Sequence, residues 1–162
     1  MKNKVLQLCL SDGKGGMELY VDRVMEDLQA EGWDVIGICL KGTKVEAYMQ
    51  RNGVPYKAFA SNGQALANIF SLRRWLVEKE VTVIHCHKSS DLRLTTLLKA
   101  LLPKLNIFYT DHVGGQRPKK SLYHRIAYGS VARVFSISQA THQRNICNLP
   151  VPRERVVWGG YC

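Results

Sequence analysis

Four short stretches of this chain carry the residue types best suited to chemistry. In the first, Gly13-Lys14-Gly15-Gly16, the glycines leave backbone N–H groups open, and a phosphate can approach such a turn closely when a helix begins behind it. The spacing is not G-x-G-x-x-G, because Glu18 stands where the third glycine would be, so a plain tight turn is the competing reading. The second is His85-Cys86-His87. Two apart in an extended segment, the histidines share one face with Cys86 on the other, which begins a metal site or lines a core or cleft. No third ligand stands at a motif spacing and no Asp-x-Asp occurs, so no metal is expected.

In the third stretch His112 follows Asp111 and precedes Gly114-Gly115. An imidazole at a strand end with open backbone beside it can donate to a substrate hydroxyl or a phosphate, whereas a surface-loop histidine would do neither. The fourth, residues 116–125, contains Arg117, Lys119, Lys120 and Arg125, with Tyr123 inside it and Tyr128 just beyond. Basic residues interleaved with aromatics suit an anionic membrane interface or single-stranded nucleic acid, against the plainer reading of a solvated helix face.

The elements that must position these residues alternate along the chain. Residues 5–10 form a short apolar run ended by the glycine turn, which reads as a buried strand. Met17, Tyr20, Val21, Val24 and Leu28 then recur at helical spacing up to Gly32. The alternation continues with a strand at 35–40, a helix over Lys44–Arg51 with Thr43 as its cap and Gly53 as its stop, and a strand over Tyr56–Phe59. Residues 66–80 read as one helix, 81–85 as a strand, 91–102 as a helix and 106–110 as a strand. Helices at 122–131 and 139–147 flank a strand at 133–137. Apolar, non-alternating strands separated by helices predict a doubly wound parallel α/β sheet, in which ligands bind beyond the carboxyl ends of the strands.

Length and charge narrow the classes further. One hundred and sixty-two residues with 46% apolar and 22% charged side chains fit one globular domain and exclude disordered, collagenous and fibrous chains. The formal charge of +10 is uneven: the first 34 residues carry four basic and seven acidic groups, so the excess lies in the rest of the chain. That asymmetry favours an anionic partner without choosing among nucleic acid, membrane and a phosphorylated small molecule. Five cysteines with no CxxC spacing read as reduced, mostly buried thiols of a cytosolic protein. The run after Met1-Lys-Asn-Lys4 is too short for a signal peptide, and nowhere do 18 apolar residues follow one another, so membrane contact is expected to be peripheral.

Taken together, the motifs resemble the GT-B glycosyltransferases of family 4, the retaining "group 1" enzymes. Gly15-Gly-Met-Glu18 resembles their GGxE-type loop, Val83-Ile-His-Cys-His87 the strand that precedes an acceptor-side histidine, and Tyr109-Thr-Asp-His112 their T-x-H strand end. Ser136-Ile-Ser-Gln-Ala-Thr141 is similar to their S-x-S-x-x-T step into a helix, and Val151–Val157 to the stretch before their Asn-Gly. Trp158-Gly-Gly-Tyr-Cys162 stands in place of that Asn-Gly. The family's second Rossmann-like domain, with two glutamates eight positions apart, has no counterpart in these residues, so residues 1–162 are expected to be a single N-terminal, acceptor-side domain, the Rossmann-like half of a GT-B fold.

What the resemblance implies is transfer of a sugar from a nucleotide sugar to an acceptor with retention and without cofactor or metal. Gly15 and Gly16 would face the donor diphosphate and His112 would act at the reaction centre. Glu18, His87 and Arg117 would line the acceptor side. Lys119, Lys120 and Arg125 would meet an anionic membrane surface. The expected setting is bacterial lipopolysaccharide or other surface-polysaccharide assembly on a glycan or lipid-linked acceptor, in the cytoplasm and peripheral on the inner face of the membrane, with no nucleic acid as partner. The competing readings are a GT-B nucleotide-sugar epimerase half and a non-catalytic basic module binding membrane or nucleic acid.

Overall fold

The computed structural model describes residues 3–11, 16–112 and 118–158. Its strands are β1 (Lys4–Cys9), β2 (Asp34–Leu40), β3 (Tyr56–Phe59), β4 (Val83–Cys86), β5 (Asn106–Asp111), β6 (Arg133–Ser136) and β7 (Val156–Trp158). All pair in parallel in the order β3-β2-β1-β4-β5-β6-β7. The chain therefore winds outward from β1 in one direction and from β4 in the other, which places the switch point of the sheet between β1 and β4. This is the doubly wound, Rossmann-like plan that the alternation predicts.

The helices are α1 (Gly16–Ala30), α2 (Lys44–Arg51), α3 (Asn62–Ala67), α4 (Ile69–Glu78), α5 (Leu92–Leu101), α6 (Leu122–Gly129) and α7 (Gln139–Asn148). Strand alternation divides the core in two. Leu6, Leu8 and Leu10 point with Ile84 and Ile107 into the layer that α3 to α7 cover, while Val5 and Cys9 pack with Val21, Met25, Val45 and Met49 of α1 and α2. Gln7 lies between Val5 and Cys9 on this second face and is fully buried.

Local chemistry sets the element boundaries. Thr43 Oγ1 accepts the Glu46 N–H at 3.3 Å and Ser61 Oγ the Gln64 N–H at 3.1 Å. Ser121 and Ser138 cap α6 and α7 in the same way, so at these four helix starts a hydroxyl satisfies a donor that the helix leaves open. Gly32, at φ +89°, and Gly53, at φ +66°, take the chain out of α1 and α2 through the left-handed region.

Three of the departures from the sequence expectation have an identifiable physical reason. The helix expected over 66–80 is two helices, because the Asn68 side chain donates to Gln64 O at 2.7 Å and the backbone there leaves helical geometry. The strand expected at 81–85 begins at Val83, since the Val81 N–H closes α4 by bonding Leu76 O at 3.0 Å. The short edge strand β7 was not expected; three residues are too few for a period to show.

Candidate active site

The carboxyl ends of β1, β4 and β5 converge on a packed group of rings. Because side chains alternate, Gln7, His85, His87 and Thr110 all emerge on the α1 face. His85 Nε2 lies 2.6 Å from Thr110 Oγ1, and His87 Nε2 lies 2.7 Å from Gln7 Oε1. With the amide oxygen as acceptor, His87 Nε2–H donates and Nδ1 is left as a bare acceptor, buried and without a hydrogen-bond partner. The His85 and His87 rings stand 4.2 Å apart, and His87 is 5.8 Å from His112. Tyr20 of α1 meets His112 edge-on at 4.8 Å and His87 at 5.8 Å.

His112 follows β5 directly and is half-buried. It packs against Tyr20, one turn into the helix that Gly16 opens. Its Nε2 is buried and has no hydrogen-bond partner. A buried ring nitrogen of this kind usually has a partner, so an open one at a strand end is where a ligand hydroxyl can bond.

Burial sets the charge state of the group. Desolvation pushes His85 down to about 3, with the neighbouring His112 adding to it. His87 lies well below the ordinary histidine value for the same reason, reinforced by His85 and His112. His112 is lowered by desolvation although Asp111 pulls it upward. The three imidazoles are therefore neutral at pH 7, and offer hydrogen-bond donors and acceptors, not cations, to whatever binds. Among the described residues no group of three His, Cys, Asp or Glu could hold a metal ion.

A second buried polar group lies just beyond β4. Asp91 sits in the turn between β4 and α5, fully buried, and its Oδ2 accepts the Leu10 N–H at 3.3 Å. Leu10 follows β1 directly, so Asp91 ties the carboxyl end of β1 to the turn after β4. Desolvation raises its carboxyl to about 7, against the opposing pull of the Leu10 N–H and Lys88.

The structure thus brings His87 and His112 together at the head of α1. Gly15, Arg117 and the side chain of Glu18 lie outside the described residues. Lys119, Lys120 and Arg125 stand apart from the rings, before and along α6, whose Ala127 and Tyr128 pack on the opposite face of the sheet. Gln7, Tyr20 and Asp91 belong to none of the sequence motifs, and Thr110 enters only as the first residue of the T-x-H strand end. Gln7 carried a signal, a lone amide in an apolar strand, since a buried polar group demands a partner. Tyr20 carried none, because it sits on the apolar stripe of α1.

A doubly wound parallel sheet with its switch point between β1 and β4 defines a Rossmann-like domain, and in such sheets ligands bind beyond the strand ends where these rings gather. The family model Glycosyltransferase Family 4 matches residues 14–158, and the chain belongs to this family. No curated protein matches it. Among solved structures it is similar to a glycosyltransferase from Rickettsia africae ESF-5, with a TM-score of 0.78 and 17% identity over 97% of this chain and 42% of that one. It is similar to HepE from Anabaena in complex with UDP and glucose, at a TM-score of 0.73 and 16% identity, covering 96% and 43%. It also resembles the lipopolysaccharide outer core galactosyltransferase WaaB in its apo form, at 0.70 and 13%, covering 94% and 44%. The domain is the N-terminal Rossmann-like half of the GT-B type, and the chain spans less than half the length of these structures.

Proposed function

We propose that the chain is the acceptor-side domain of a retaining glycosyltransferase that moves a sugar from a nucleotide sugar to a lipid-linked or polysaccharide acceptor in bacterial surface-polysaccharide assembly, lipopolysaccharide among them. A second α/β domain supplies most of the nucleotide contacts. The observation that carries this reading is His112: a neutral, half-buried imidazole with a free Nε2, at a strand end beside the helix that Gly16 opens. Gly15 and Gly16 hold the donor diphosphate through backbone N–H groups, aided by the positive end of α1. His112 hydrogen-bonds the donor sugar. His87 Nδ1, Glu18 and Arg117 serve the acceptor side, and Lys119, Lys120 and Arg125 hold the domain at the inner face of the cytoplasmic membrane.

A transition state in which the sugar carries positive charge and the diphosphate departs needs positioning and oxyanion stabilisation more than a strong base. A neutral imidazole suits it, because an imidazolium would repel the developing charge at the sugar.

The test is His112→Ala in the protein that contains this domain together with its nucleotide-sugar domain. Loss of a donor in a water-poor site lowers kcat by about 10²-fold, with only a small change in melting temperature. An unchanged kcat with a large loss of stability would make His112 a packing residue. Interconversion of the nucleotide sugar without any acceptor would replace the transferase by an epimerase.

A further inference from the structure

Between the start of α5 and the face of α6 lies a cavity of about 210 Å³, bordered by Ser89, Ser90, Arg93, Lys119, Tyr123 and His124. By volume this is room for about seven water molecules. No carboxylate lines it, and the Arg93 guanidinium and Lys119 ammonium have no partner among the described residues. Ser90 Oγ is buried without a hydrogen-bond partner. Two cations and an open hydroxyl around one space favour an anion.

The rim of this cavity is apolar on one side. Tyr123 borders it while remaining 44% exposed, and beside it Leu122 and Ile126, one helical turn apart, are 72% and 54% exposed. Lys120 and Arg125 flank that stripe and are exposed as well. We propose that this cavity binds a phosphate monoester borne on an apolar chain, the phosphate seated among Ser89, Ser90, Arg93 and Lys119 and the chain running over Tyr123 onto Leu122 and Ile126. It rests on the reading of the chain as a domain held at a membrane and supplies the chemical class of the lipid that holds it: a lipid phosphate. A phosphate ester free in solution offers the same anion, but it leaves the Leu122 and Ile126 stripe unused.

Binding is measured by sedimentation with phosphatidylcholine vesicles carrying phosphatidic acid, against vesicles carrying phosphatidylserine at matched surface charge. The protein is expected to prefer the phosphatidic acid vesicles. Arg93→Gln with Lys119→Gln should weaken that binding by about tenfold or more, because charge-assisted bonds inside a cavity outweigh rim charges. Arg73→Gln with Arg74→Gln removes the same charge from the exposed surface of α4, outside the cavity, and should cost much less. Leu122→Ser with Ile126→Ser should release the protein from vesicles while broadening of the ³¹P signal of glycerol 3-phosphate persists. Equal losses from the two charge-removing pairs, or no preference between the two lipids, would leave only diffuse surface charge and overturn the proposal. Glycerol 3-phosphate binding as tightly as the vesicles, with no effect of the Leu122 and Ile126 changes, would assign the cavity to a soluble phosphate ester and refute the lipid. If the Arg93 and Lys119 pair fails to melt cooperatively, the native protein decides: inorganic phosphate must displace it from the vesicles better than sodium chloride of equal ionic strength. No nucleotide sugar enters these measurements, so their failure leaves the transferase reading standing.

Discussion

Replacing Asp91 by asparagine should stabilise the protein increasingly as the pH rises. The Asp91 carboxyl is fully buried, and desolvation moves it from 3.8 in the unfolded chain to about 7 in the fold. A carboxyl raised in this way favours the fold only while it is protonated, so its contribution declines as pH climbs above 3.8 and levels off beyond 7. Over each pH unit in which the unfolded chain has released the proton and the fold still holds it, stability falls by about 1.4 kcal/mol. Between about pH 5 and pH 7 that amounts to about 2 kcal/mol, and by about pH 8 to about 3 kcal/mol. The amide introduced by D91N cannot titrate, and its oxygen can still accept the Leu10 N–H. The amide protons enter the space where Asp91 Oδ1 has no partner, at a cost that does not change with pH. The difference in stability between D91N and the native protein should therefore shift in favour of D91N by about 3 kcal/mol from about pH 5 to pH 8. At about 2–4 °C per kcal/mol for a domain of this size, that is about 6–12 °C in melting temperature. His85 and His87 titrate in both proteins and cancel in the comparison. Thermal melts of the two proteins at half-unit steps suffice as the assay. A melting-temperature difference that stays flat across this range would show that Asp91 titrates like an exposed carboxyl, and the argument from its burial would fail.

Three further outcomes follow from the packing. Thr110→Val keeps the shape of a fully buried side chain but removes the hydroxyl 2.6 Å from His85 Nε2, and should cost about 1–3 kcal/mol, read as a lower denaturant midpoint with an unchanged slope. A Cβ on Gly37 would run into the Met49 side chain, so Gly37→Ala should cost about 1–3 kcal/mol in the same assay, and Met49→Val in the same chain should recover part of that loss. Of the four described cysteines Cys147 alone is exposed, while burial pushes the Cys39 thiol up to about 12 and Cys86 well above its usual value. Mass spectrometry after brief iodoacetamide treatment of the folded protein should therefore find Cys147 alkylated and Cys9, Cys39 and Cys86 intact.

By itself the sequence determined the order of strands and helices, because the change from short apolar runs to a 3.6-residue period survives without any knowledge of packing. It also determined that His85 and His87 share a face, since alternation in a strand is a local property, and that His112 stands at a strand end. The places where local reading failed were short or interrupted: Asn68, where a side-chain bond breaks a helix, and Val156–Trp158, which is a strand only because β6 lies beside it. Only the tertiary structure decided what the histidines are. Gln7 reaches His87 across 80 positions and Thr110 reaches His85 across 25, and those bonds fix which ring nitrogens remain open. Their neutrality was equally invisible in the sequence, because desolvation depends on what the chain folds over them. The same holds for the cations of the basic stretch. Lys119 joins Arg93 and Ser90 around a cavity, whereas Lys120 and Arg125 remain exposed, and composition cannot separate a charge that lines a space from one that faces water.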